Sequence, residues 1–111
     1  MDKLEKYRKI VEKVIGENAA LPYSYDDVER RTMFDRETDS YLLYIVGWHN
    51  NRRYHGISTH IDIIGGKIYI QHDGTEEGIA ADLEAAGVPK SDIVLAFHAP
   101  ELRKYTEYAV A

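Results

Sequence analysis

Five histidines, His49, His55, His60, His72 and His98, are the residues of this chain best suited to chemistry, and Asp62 and Asp73 stand beside two of them. Imidazole and carboxylate together could hold a divalent ion or move a proton. A catalytic zinc site, however, needs three protein ligands converging on one point. His60 and Asp62 are two residues apart and share a face if their segment is extended. One reading of that pair is a metal-dependent nuclease or small hydrolase, with His49 or His98 as a further ligand. The other is a polar sheet face that meets solvent or a partner. Asp62, Asp73, Glu76 and Glu77 form a second acidic set of the kind that binds magnesium. Yet Asp73 and Glu76 also have the spacing of a helix capping box, which explains them without a metal. Lys67, the base a nuclease centre would want near paired acids, falls at the far, turn end of the stretch.

Other chemistries find less support. The chain has no cysteine, which excludes disulfides and thiolate nucleophiles and fits a reducing cytosol. No GxSxG and no GxxxxGK[ST] occurs. Gly74 and Gly78 flank a helix start that could hold a phosphate, but Glu76 and Glu77 would repel an anion there. No cofactor is expected.

These residues depend on the elements around them. Leu4, Tyr7, Val11 and Val14 recur at three- and four-residue steps, and Ile10 and Ile15 widen the stripe, so residues 2–17 read as a helix stopped near Gly16 and Asn18. Pro22 and the tyrosines Tyr23 and Tyr25 mark a connection. Residues 28–35 alternate in part and read as a strand. The apolar run YLLYIVGW, 41–48, reads as a central strand. Residues 54–64 and 67–72 are two strands joined by Gly65-Gly66, a pair that suits a tight hairpin. That turn sets Ile64 opposite Lys67, Ile63 opposite Ile68, Ile61 opposite Ile70 and Thr59 opposite His72. On the other face it sets Asp62 opposite Tyr69 and His60 opposite Gln71. One face is apolar and the other polar. His60 and His72 then point to opposite faces and could share an ion only across a bulge.

Residues 74–87 read as a second helix carrying Ile79, Leu83 and Ala86, capped by Gly87 with Pro89 beyond. Residues 93–97 read as a buried strand, and Pro100 opens a short turn through Arg103. The expected fold class is α+β: a single antiparallel β-sheet with N-terminal and C-terminal helices packed on one face, in one domain over 1–111.

Composition narrows the partners. Of 111 residues, 44% are hydrophobic and 30% charged, as in a folded globular chain rather than a disordered one. The net charge is −5, which argues against DNA binding by the chain alone. Basic residues come only in short groups, Arg8-Lys9, Arg30-Arg31 and Arg52-Arg53; a DNA-binding module or base-stacking site on the last pair is the alternative. No window approaches the roughly 20 apolar residues that span a bilayer. The opening residues lack a continuous apolar stretch, so a cytoplasmic chain with no membrane contact is expected. Nine tyrosines and one tryptophan are a high count, and such rings supply much of the energy of protein interfaces. About half the rings should pack in the core, since a small sheet buries only some of them. Tyr41 and Tyr44 are candidates for a docking face, but the partner-binding set expected here is Trp48, Arg52, Arg53, Tyr69, Tyr105 and Tyr108.

Five segments together resemble the XisI family of fdxN-element excision controlling factors. They are MDKLEKYRKIVEKVI, ALPYSYDDVE, DRETDSYLLYIVGWHNNRRYHG, HIDIIGGKIYIQHDGTEEGIAADL and GVPKSDIVLAFHAPELRKYTEYAVA, and they span essentially the whole chain. The most particular are IYIQHDGTEEGIA and DIVLAFHAPELRKYTEYAVA. The resemblance implies an accessory factor for regulated excision of a DNA element in filamentous cyanobacteria, where a separate recombinase cuts and rejoins the DNA. It implies action beside XisH, a protein similar to nuclease-fold proteins, and no catalytic residue to carry over. The expected reading is a non-enzymatic subunit that binds an XisH-like protein, or itself as a homo-oligomeric dimer, and reaches DNA only indirectly.

Overall fold

Leu4, Tyr7, Val11 and Val14 do lie on one helix, α1 (Lys3–Ala19), in the computed structural model, which describes residues 2–75 and 78–111. Asp2 caps α1 by accepting a bond from the Glu5 amide at 2.8 Å. The chain continues through β1 (Val28–Asp35), β2 (Ser40–His49), β3 (Arg52–Ile64), β4 (Lys67–Asp73), α2 (Ile79–Ala85) and β5 (Ile93–Leu95). Short 3-10 turns occupy Lys90–Asp92 and Pro100–Tyr105. The five strands lie side by side in chain order. Among the described residues no helix is long and apolar enough to cross a membrane.

Period-two alternation explains the two faces of the sheet. Tyr41, Leu43, Ile61, Ile63, Ile68 and Ile70 point to one side, where they form a buried cluster with Tyr7, Val11, Val14 and Ile15 of α1 and Ile79, Ala80 and Leu83 of α2. Each aliphatic side chain so buried contributes about 1.5–3 kcal/mol. Both helices therefore cover the same face, as the sequence predicts. The sheet is not antiparallel throughout, however: β1 to β4 form an antiparallel meander, and β5 joins β4 in parallel. A parallel neighbour needs a crossover, and α2 supplies it.

The Gly65-Gly66 turn sets the expected register for four pairs, from Ile64 opposite Lys67 to Ile61 opposite Ile70. Both glycines have positive φ, 56° and 80°, which the tight turn requires. Beyond Ile70 the expectation fails. Gln71 is an extra residue, so His60 faces His72 and Thr59 faces Asp73. One inserted residue shifts every later pair.

The second helix also starts later than residue 74. Asp73 Oδ1 accepts from the Thr75 amide and hydroxyl at 2.9 and 2.6 Å, and Oδ2 accepts from the Ile79 amide at 2.8 Å. These bonds hold a turn before the helix, and Asp73 caps α2 from six residues away. Glu76 and Glu77, the other half of the expected capping box and first-turn acids, lie outside the described residues.

Charged side chains fasten α1 to the sheet. Asp39 accepts from Arg8 Nε at 2.7 Å and from the Tyr41 hydroxyl at 2.9 Å. Arg36 joins Glu12 at 2.9 Å and Glu5 at 3.1 Å. Asp92 takes the Tyr7 hydroxyl and Lys3. The Arg8 guanidinium holds the Asp39 carboxyl below its usual range, Arg36 does the same for Glu12, and the Tyr7 hydroxyl for Asp92. Depressed carboxylates contribute stability that is present above the ordinary range and lost as pH falls through their lowered values. Thermal melts should therefore decline once pH drops below about 4. Asp39→Asn should start lower at pH 7 and show a shallower acid decline; equal slopes would contradict this role.

Candidate protein-binding surface

The alternate residues of the sheet build its other face, which neither α1 nor α2 covers along β1 to β3; at β5 it is closed, since Val94, beside Tyr69, is fully buried. On β2 these are Ser40, Leu42, Tyr44, Val46 and Trp48, and on β1 Met33 lies across from Leu42. Leu42, Tyr44 and Val46 are only half-buried, while Met33 and Trp48 are 58% and 57% exposed. An apolar stripe thus runs along the middle of a bare sheet. Tyr69 joins the face opposite Asp62.

The far end of this stripe is the β2–β3 hairpin. Asn50 and Asn51 make its two-residue turn, both with positive φ, a conformation asparagine tolerates. Arg53 lies across from Trp48, its guanidinium 5.3 Å from the ring centroid in a cation–π contact. Arg52, one residue earlier, turns to the helix side and stands over Tyr54. There Tyr23, Tyr25 and Tyr54 cluster, and Tyr25 stacks on His49 at 3.9 Å. His49 also meets Asp27 at 3.0 Å. The sequence marks Tyr23 and Tyr25 as part of a connection; it misses that His49 and Tyr54 receive them.

At the opposite end sits the pair proposed for chemistry. His60 Nε2 lies 3.0 Å from Asp62 Oδ1, so the two do meet on one face. Ser40 donates to the same oxygen at 2.8 Å, and Gln71 donates to Oδ2 at 3.2 Å. The carboxylate stands between Ser40 and His60, so the imidazole is not aimed at the serine hydroxyl as nucleophilic catalysis requires. Three neighbours already occupy the two carboxylate oxygens. His49 is held by Tyr25 and Asp27, and His98 packs beside Phe97. Among the described residues no three His, Asp or Glu side chains gather to hold a metal ion. Asp73, from the magnesium set, is engaged in capping α2.

A second bare region follows β5. Phe97, Leu102, Tyr105 and Val110 are 47%, 49%, 77% and 53% exposed. Arg103 fixes the backbone that presents them, donating to the carbonyls of His98 at 3.1 Å and Ala96 at 3.2 Å. Of the expected set, Tyr105 is here and open. Tyr108 is half-buried against the core, and its hydroxyl donates to Glu84 at 2.7 Å, which with its burial pushes the phenol up to about 12. Met33, Leu42, Val46, Phe97 and Leu102 are surface residues absent from the expected set. The alternation within 41–48 could have indicated Leu42 and Val46, since a one-face-covered sheet leaves every second residue out.

The fold and these surfaces define a class: a one-sheet α+β module, covered by helices on one face and open on the other. Its relatives are more specific. The family described as XisI protein matches residues 1–110. Among solved structures, an XisI-like protein from Anabaena variabilis is 39% identical, with 97% of this chain and 99% of that chain covered and a TM-score of 0.90. The fdxN element excision controlling factor XisI from Anabaena variabilis is 37% identical, with 99% and 100% covered and a TM-score of 0.85. No curated protein matches. This chain belongs to the XisI family.

Proposed function

We propose that this chain is an accessory factor controlling excision of a DNA element, and that it acts by binding an XisH-like protein rather than by catalysis. The role in excision follows the family and its structural neighbour named for fdxN element excision control. The observation that supports action through protein contacts is the amount of apolar and aromatic side chain left open on two surfaces, the bare sheet face and the segment after β5. Such side chains are the usual anchors of protein interfaces. The net charge of −5 favours reaching DNA through the partner.

The segment after β5 is the place for the XisH-like protein. Leu102 and Tyr105 project from a backbone already stapled by Arg103, so little order is lost on binding. Co-expression of the chain with the XisH-like protein should give a complex that survives purification. Leu102→Ala/Tyr105→Ala should weaken it at least tenfold, the scale of an interface hot spot, while leaving the melting temperature unchanged. Failure of the wild-type proteins to associate would remove the proposal.

A further inference from the structure

The β2–β3 hairpin has an unusual charge pattern for this chain. Residues 40–61 contain no aspartate or glutamate, and Arg52 and Arg53 lie at their turn. Within the hairpin the only acid is Asp62, at the end away from the turn. On the bare face Arg53 and His55 stand at the hairpin end, with Glu29 across from Val46, and Asp35 and Asp62 stand at the other end. Arg31, between them, is paired with Glu29 on its own strand.

We propose that a second copy of this chain covers the bare face, seated antiparallel to the first, with Trp48 and Arg53 of each copy over Ser40 and Asp62 of the other. The proposal deepens the reading of that face as a docking surface by naming its occupant.

Register and charge together select this arrangement. A two-fold axis crossing the strands at Tyr44 carries Trp48, four residues to one side, onto Ser40, four residues to the other. Arg53 pairs across from Trp48 and Asp62 across from Ser40. The same rotation therefore carries Arg53 onto Asp62. Both contacts occur twice, as an isologous interface demands. The Leu42, Tyr44 and Val46 stripe meets its own image at the centre. Turning one copy to run parallel would instead stack Arg53 near the other hairpin's arginines and set the acidic ends together, at a cost in repulsion. A bound nucleic acid fits less well, because phosphates would meet Asp35 and Asp62 at one end of the face.

Ser40 to Trp48 spans about 26 Å at roughly 3.3 Å per residue, and the three strands that run this length, about 4.8 Å apart, give roughly 375 Å² of flat face. With side-chain relief and the part of β4 beside Asp62, the interface is smaller than the about 800 Å² per partner of a standard one, so the dimer is a weak one.

Sedimentation equilibrium over a range of protein concentrations tests it. The wild type should be a dimer that weakens with added salt. Trp48→Ala and Arg53→Glu should each weaken it at least tenfold. Asp62→Lys should do the same, and mixing it with Arg53→Glu should restore a heterodimer, because one of its two contacts is then Glu with Lys and the other Arg with Asp. Circular dichroism melts confirm that each variant is folded. A wild type that stays monomeric at high concentration overturns the proposal, as does a dimer indifferent to Trp48→Ala and Arg53→Glu. So does a monomer that binds through this face only when the XisH-like protein or duplex DNA is added. An Arg53→Glu monomer that still binds the XisH-like protein leaves the proposed function standing, since that contact is placed after β5.

Discussion

Tyr41→Ala is expected to leave the chain barely stable at room temperature. Tyr41 is fully buried at the centre of the covered face, between Phe34 on β1 and Ile61 on β3. Its ring lies 5.8 Å from that of Phe34, and its hydroxyl donates to Asp39. Burial, and then the Asp39 carboxylate, raise the phenol pKa, so the hydroxyl keeps its proton and remains a donor. Truncating a buried aromatic costs about 3–5 kcal/mol through lost transfer energy and the cavity left behind. A domain of this size has about 5–15 kcal/mol in total. Tyr41→Phe keeps the ring and loses one hydrogen bond, so it should cost only about 1 kcal/mol. Urea titration of the two variants separates these terms. An alanine variant within 1 kcal/mol of wild type would show that the core is not organised around this ring.

Gly47→Ala should disturb the hairpin end by a different route. A methyl group at Gly47 would press into the Asp27 carbonyl oxygen and lie 2.8 Å from the Val28 Cα. These are backbone atoms, so the entry to β1 must move. Val28 is buried across from Gly47, and Trp48 is the next residue. Overpacking of this kind costs about 1–3 kcal/mol. The variant should also change the fluorescence of Trp48, the sole tryptophan, in the folded state. An unchanged spectrum and an unchanged denaturation midpoint would mean that β1 can shift without cost.

Local patterns made much of this fold legible. The strand read at 28–35 has the same bounds in the structure, because alternation and the polar turn after Asp35 delimit it. The apolar run at 41–48 is the second strand, and Gly65-Gly66 fixed the first four pairs of the third and fourth. Two features had no local signal. The Gln71 bulge breaks a register that the turn otherwise propagates, and no residue type there marks the insertion. The parallel placement of β5 depends on where α2 returns the chain, a tertiary matter that three residues, Ile93–Leu95, cannot encode. At the surface, exposed Trp48 and Tyr105 were legible as candidates by type. The commitment of Tyr108 to Glu84, and of Arg52 to Tyr54, depends on contacts across the fold.

Hydroxyl-radical footprinting tests most directly whether the open apolar surfaces are the working ones. It reads the oxidation rates of Met33, Trp48, Leu102 and Tyr105 in the dilute chain, in the concentrated chain and in the complex with the XisH-like protein. Met33 and Trp48 should be protected as concentration rises, and Leu102 and Tyr105 once the XisH-like protein is bound. Equal rates at all four residues in every state, with a complex formed, would contradict the account.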